Sequence, residues 1–179
     1  LEQYISSTEN LPIISTYCPA IVELIQVKFP SLISHLSPFR SHYEIMGDII
    51  KKLWKIKYPE KKPNLIYVAT CPAEVSNIKS SFDSRSSNFY TVLGIDNIYL
   101  SVKKNISEEE SLISPIYAQG ILWGTLGGES SIFSEESSIS VGGIDEVVKV
   151  LEDLERNRFQ DIKFLELRAC KEGCVGGVL

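Results

Sequence analysis

Three apolar, β-rich runs in this chain each lead to a cysteine. "LPIIST" (11–16) reaches Cys18 two residues on, "NLIYVAT" (64–70) meets Cys71, and "DIKFLELRA" (161–169) meets Cys170. Cys174 follows in the glycine-flanked turn of "FLELRACKEGCVGG" (164–177), and these four are all the cysteines of the 179 residues. Short runs of this composition read as buried strands. Between them, "PAIVELIQVKF" (19–29), "HYEIMGDIIKKLWKIKY" (42–58) and "GIDEVVKVLEDLERN" (143–157) carry apolar residues at helical spacing, with Pro19 suited to a first helical turn. The order strand, helix, helix, strand, irregular middle, helix, strand predicts an α/β fold: a mixed or parallel sheet flanked by helices. Ligands bind open α/β sheets at the carboxyl ends of the strands. Parallel strands would bring all four thiols to one such edge.

Composition narrows the classes of function. Hydrophobic residues make up 44 % and charged residues 23 %, as in ordinary globular domains. The net charge is −5 with no basic cluster, which argues against a nucleic-acid partner. No apolar run approaches the roughly 20 residues of a membrane helix, so no membrane partner is expected. The opening "LEQYISSTEN" has neither a basic segment nor an apolar core, so no secretory leader is expected there and a cytoplasmic location is. The first residue is Leu rather than Met, from which a piece of a longer or processed chain is expected. The acidic run "SEEES" (107–111) reads as a solvated loop or helix start. The middle, 82–140, gives no clear periodicity. Its "GILWGTLGGESS" (120–131) reads as a loop or irregular strand, and "GTLGGE" lacks the Lys-Ser/Thr ending of a phosphate-binding loop.

Several readings of the cysteines compete. Free cysteines are often simply buried. Disulfides suit exported chains, and 179 residues need no staples. A four-cysteine zinc site usually shows two CxxC knuckles, whereas this chain has one CxxxC and two isolated cysteines. An iron–sulfur cluster takes four thiolates from widely separated positions, and this reading fits best. Gly173, Gly176 and Gly177 would let backbone N–H groups approach the sulfurs. Pro19 and Pro72, each directly after a cysteine, would suit helix starts whose N-termini favour an anionic cluster. Elsewhere, His35 and His42 read as surface or capping residues, Trp54 as core, and Trp123 as a candidate cavity wall. Arg168 reads as a surface ion pair or as a donor beside the cluster.

With the cysteines placed, the chain resembles the catalytic domain of the [FeFe]-hydrogenases. "STYCPA" (15–20) is similar to that family's Thr-Ser-Cys-Cys-Pro, and "ATCPAE" (69–74) to its Met-Pro-Cys-x-x-Lys. "ELRACKEGCVGG" (166–177) is similar to Glu-x-Met-Ala-Cys-x-x-Gly-Cys-x-x-Gly, and "FPSLISHLSPFRS" (29–41) to a segment after the first signature. The resemblance implies part of a bilobal iron hydrogenase large-subunit domain over 1–179. A ferredoxin-like part before it and the domain's C-terminal end are expected to be absent. It implies an H-cluster: a [4Fe-4S] cubane held by Cys18, Cys71, Cys170 and Cys174, with Cys174 bridging to a di-iron unit that carries CO, cyanide and a dithiolate. It implies hydrogen oxidation and proton reduction, with H2, protons and a ferredoxin-like electron carrier as partners.

Departures from the family pattern bear on that activity. Tyr17 stands where the family has a proton-relaying cysteine, and a phenol's ordinary pKa near 10 exceeds a thiol's of about 8.5. Glu74 stands where the family has a lysine that donates to a cyanide. At about 5 Å and an effective dielectric of 20, each such charge pair is worth roughly 3 kcal/mol. Asn77 replaces a glutamate of the proton path, and Ser37 keeps a serine of it. The expected catalytic positions are therefore Tyr17, Ser37 and Glu74. Weak hydrogenase turnover is expected, or else a redox- or hydrogen-sensing iron–sulfur module.

Overall fold

A computed structural model describes residues 2–80, 88–106, 120, 122–133 and 135–179. The "SEEES" run at 107–111 lies outside the described residues, as does Ile121 of the glycine-rich segment. The chain forms two compact units, Leu1–Pro38 with Ser111–Gly177, and Phe39–Glu110 with Val178–Leu179.

The first unit is built on a parallel three-stranded sheet in the order β1-β5-β4. Its strands are β1 (Ile13–Ile14), β4 (Ser138–Gly142) and β5 (Phe164–Arg168). Central β5 pairs Phe164 with both Ile13 and Ser138, and all five of its residues are buried. Alternation along the strand gives its two faces different chemistry. Leu165 and Leu167 join Ile21, Ile25, Val147 and Leu151, contributed by α2 (Pro19–Lys28) and α6 (Ile144–Glu155). Each fully buried Leu here contributes roughly 1.5–3 kcal/mol. On the opposite face Phe164 packs with Ile5 of α1 (Glu2–Ile5) and with Phe133. That face continues into Glu166 and Arg168, so an apolar strand face ends in a buried charge cluster.

The second unit has a separate parallel pair, β2 (Ile66–Ala69) and β3 (Thr91–Gly94), in register from Ile66↔Thr91 to Ala69↔Gly94. Its helices are α3 (His42–Lys57), α4 (Pro72–Lys79) and α5 (Ile95–Asn105). Tyr43, Tyr67 and Phe89 pack ring to ring, with centroids 5.3–6.3 Å apart. Trp54, expected in the core, lies at the surface. It stands on an exposed stretch of α3, stacks on Tyr58 and donates from Nε1 to the Lys61 carbonyl.

The expected α/β architecture with parallel strands and flanking helices is present, on two sheets rather than one. Among the described residues, no helix is long and apolar enough to cross a membrane.

Candidate functional site

Each sequence-predicted cysteine sits at the carboxyl end of a strand or in the turn after it. Cys18, nearly buried, is the N-cap of α2, and Pro19 is that helix's first residue. A proline lacks the N–H that a first helical turn leaves unpaired, so the Cys-Pro step starts the helix without loss. The same step opens α4, where Cys71 is the N-cap and its Sγ accepts the Glu74 N–H at 3.5 Å. Cys170 follows β5 by two residues, and Cys174 opens a one-turn 3-10 helix, Cys174–Gly176. None of the four cysteines forms a disulfide. Cys18, Cys170 and Cys174 belong to the first unit and Cys71 to the second. The single sheet edge expected from the sequence is thus divided, because β2 pairs with β3 rather than with β1 or β5. Among the described residues, no three His, Cys, Asp or Glu side chains are gathered in metal-binding geometry.

The cysteine turn of the first unit is held by backbone approach. Gly173 adopts φ +78° and ψ −159°, a region open essentially to glycine alone. Thr125 bridges to Gly173, and Val175 N donates to the Gly124 carbonyl at 3.3 Å. A Cβ on Gly142, at the end of β4, would lie 2.4 Å from the Lys171 carbonyl oxygen and 2.9 Å from that of Cys170. The glycine-rich segment 122–128 and the end of β4 therefore frame the Cys170–Cys174 turn.

Beside that turn lies a buried polar cluster. Arg168 is 1 % exposed, so the expected surface ion pair is in fact a buried one. Its Nε donates to Glu166 Oε1 at 3.1 Å, and its Nη2 to Glu129 Oε2 at 3.3 Å. Glu166 is also met by the backbone N–H groups of Gly127 (3.2 Å) and Ser130 (2.8 Å). Ser15 donates to Glu129 at 2.5 Å and accepts the Tyr17 N–H at 3.1 Å. Burial raises the Glu129 carboxyl above its ordinary range. The Ser15 bond and Arg168 oppose that shift, and Glu166 adds to it. The guanidinium carbon of Arg168 lies 3.9 Å from the centre of the Tyr17 ring. Tyr17 thus faces a cation rather than standing alone beside Cys18. A stack of this kind is worth about 2 kcal/mol when desolvated.

Sequence reasoning missed Glu129, Ser15 and Ser130. Their segments lay in the aperiodic middle or beside a two-residue strand. Strand alternation does put Glu166 and Arg168 on one face, a signal already present in "FLELR".

In the second unit, Glu74 is 3 % exposed and turned back on the start of its own helix. Oε2 accepts the Thr70 N–H at 3.0 Å, and Oε1 the Tyr67 hydroxyl at 3.3 Å. Asn77 accepts a hydrogen bond from the Tyr43 hydroxyl. Burial, with Glu44, Glu74 and Cys71 adding, raises that phenol's pKa against the Ser41 hydrogen bond. Ser37 follows the 3-10 turn Pro30–His35, with its N–H on the Ile14 carbonyl at 2.9 Å. His35 Nδ1 lies 2.9 Å from the Pro12 carbonyl oxygen, which ties that turn to the residue before β1. His42 opens α3 and meets the Tyr43 ring edge-on.

Comparison with solved structures fixes the fold class. A variant of the [FeFe]-hydrogenase HydA1 from Chlamydomonas reinhardtii matches with TM-score 0.67 and 13 % identity, over 98 % of this chain and 63 % of that one. The structure of HydA(deltaEFG), described for stepwise H-cluster assembly, matches with TM-score 0.64 and 13 % identity, over 98 % and 63 %. An [FeFe]-hydrogenase structure concerned with oxygen inactivation and the 2Fe subcluster matches with TM-score 0.66 and 14 % identity, over 96 % and 62 %. The chain thus spans less than two thirds of the length of these structures. The profile of the family described as "Iron only hydrogenase large subunit, C-terminal domain" matches residues 1–109, a stretch that holds Cys18 and Cys71. By that match over more than half its length, the chain belongs to the iron-only hydrogenase large subunit, C-terminal domain family.

Proposed function

We propose that this chain is a cluster-holding hydrogenase domain in which Cys18, Cys71, Cys170 and Cys174 ligate a [4Fe-4S] cubane. Cys174 would also hold the di-iron unit. The supporting observation is that every cysteine of the chain falls in one of the three family signatures, at a strand end or in the turn after it. The donor chemistry fits such a group: four thiols outside any disulfide, a glycine turn that admits close backbone approach, and two buried N–H donors, Arg168 Nη1 and Trp123 Nε1, that find no acceptor among the described residues. When bound, the cofactor supplies the interconversion of H2 with two protons and two electrons.

The chain's own residues then set how well protons reach the site. Tyr17 takes the place of a relay thiol, and its ring is stacked on Arg168. Ser37 is the retained hydroxyl of the path. Glu74 has a donor on each carboxylate oxygen and offers none to a ligand. These features favour slow turnover, and with it a second reading: a redox- or hydrogen-sensing module that holds the same cluster. A ferredoxin-like electron carrier as partner and a cytoplasmic location complete the proposal.

The test is H2/D2O exchange by the chain loaded anaerobically with cubane and di-iron unit. Tyr17→Cys should raise exchange by on the order of 10²-fold, the lower end of what a positioned acid–base group contributes. Equal exchange in both proteins, at the level of thiol-bearing family members, would refute the impaired relay. Exchange absent from both, with the cluster loaded, selects the sensing reading.

A further inference from the structure

Among the described residues, two buried donors of the first unit, Arg168 Nη1 and Trp123 Nε1, find no acceptor. Folded proteins rarely leave such groups unpaired, and each exception calls for a partner. The two belong to residues in contact, since Arg168 Nη2 approaches the Trp123 carbonyl at 3.5 Å. Arg168 cannot turn to satisfy Nη1 without losing its bonds to Glu166 and Glu129 and its stack on Tyr17. The guanidinium is held on three sides and unpaired on the fourth.

The surroundings of this pair are the cysteine segments. Tyr17, under the guanidinium, precedes Cys18. Arg168 is two residues before Cys170. Gly124, next to Trp123, accepts the N–H of Val175, which follows Cys174. Each donor is therefore tied, through a neighbour, a ring contact or a hydrogen bond, to the segments that carry the three cysteines of this unit. A cationic N–H and an indole N–H together suit an acceptor that bears negative charge. A cyanide nitrogen has that character.

We propose that Arg168 Nη1 and Trp123 Nε1 donate hydrogen bonds to an anionic ligand of the di-iron unit. The assignment rests on the cofactor reading given above. It makes both residues cofactor-binding, and it gives the buried arginine two residues before Cys170 a role.

Infrared spectroscopy tests it. The chain is reconstituted anaerobically with iron and sulfide, then loaded with a synthetic di-iron carbonyl–cyanide complex. It is compared with Trp123→Phe, which keeps an aromatic ring, and with Arg168→Lys, which keeps the charge. Loss of a donor at the cyanide nitrogen lowers its stretching frequency. The cyanide bands of Trp123→Phe should therefore move to lower frequency. Those of Arg168→Lys should move further, with loss of most of the di-iron unit on gel filtration. Transfer to D2O should shift the cyanide bands of the wild type more than those of either variant. The cubane EPR signal should be the same in all three.

Coincident cyanide bands with intact cubane signals would overturn the assignment and leave the cofactor reading standing; buried water would then satisfy the two N–H groups. A wild-type chain that holds the cubane but no di-iron unit would overturn it as well. A chain that takes up no iron would overturn the cofactor reading, and the assignment with it. Circular dichroism identifies a variant that fails to fold, and Trp123→Phe then carries the comparison.

Discussion

Arg168→Met should lower the unfolding free energy by roughly 3–5 kcal/mol, the loss expected when one partner of a buried ion pair is removed. Methionine fills much of the space but leaves Glu166, fully buried, and Glu129, 7 % exposed, without their cation. Removing the charge from a carboxylate should offset part of that loss. Glu166→Gln in the Arg168→Met background keeps an acceptor oxygen for Gly127 and Ser130, and should recover some stability. Acid should do the same. A carboxyl whose folded pKa is raised binds its proton more tightly in the folded state. Glu129 is such a group. Its contribution is therefore most favourable below the ordinary carboxylate range and declines as pH rises through the raised value. The deficit of Arg168→Met should accordingly be smallest in acid and grow toward neutral pH. Urea unfolding of wild type, single and double variants across pH measures this. A cost below about 1 kcal/mol at neutral pH would show that the two carboxylates do not depend on the guanidinium.

Gly173→Ala should disorder the cysteine turn. The backbone conformation alone costs about 1–3 kcal/mol for any residue with a Cβ. Here that Cβ would also lie 2.7 Å from the Gly124 carbonyl oxygen and 2.7 Å from the Leu126 nitrogen. Both are backbone atoms, so relief requires the 122–128 segment to move away. The expected result is lower stability together with faster thiol modification at Cys170 and Cys174, while Cys18, set in the helical core, changes little. Wild-type labelling rates and wild-type stability in Gly173→Ala would show that the turn does not depend on this approach.

Much of this arrangement was legible in the residues, and the failures have physical causes. Helices α2, α3 and α6 announced themselves through apolar residues at helical spacing, and α2 and α4 both begin at the Cys-Pro steps. The strand runs ending at cysteines were found where expected, although β1 has only two residues. The division into two sheets was not legible, because β2 and β5 read alike and partner choice depends on the whole chain. β3 is four residues long, too short to stand out between less regular segments. α5 carried a usable signal, with Ile95, Ile98, Tyr99 and Val102 at helical spacing, and so did the alternating "SISVG" of β4. For the candidate site, the cysteines were visible because their neighbours carry the pattern. The cluster around Arg168 was not, since Glu129 and Ser15 meet it from segments distant in sequence. A single charged residue inside a strand gives no hint of which carboxylates will enclose it.

The central claim is that these four cysteines hold an iron–sulfur cluster. Anaerobic reconstitution followed by iron and sulfide analysis, with EPR of the reduced protein, tests it most directly. The account predicts about four irons and four sulfides per chain, the cubane stoichiometry of four-thiolate ligation, with most of the iron and the EPR signal lost in Cys170→Ala. Iron uptake in a variant lacking all four cysteines equal to that of the wild type, or a wild-type chain that binds no iron, would contradict it.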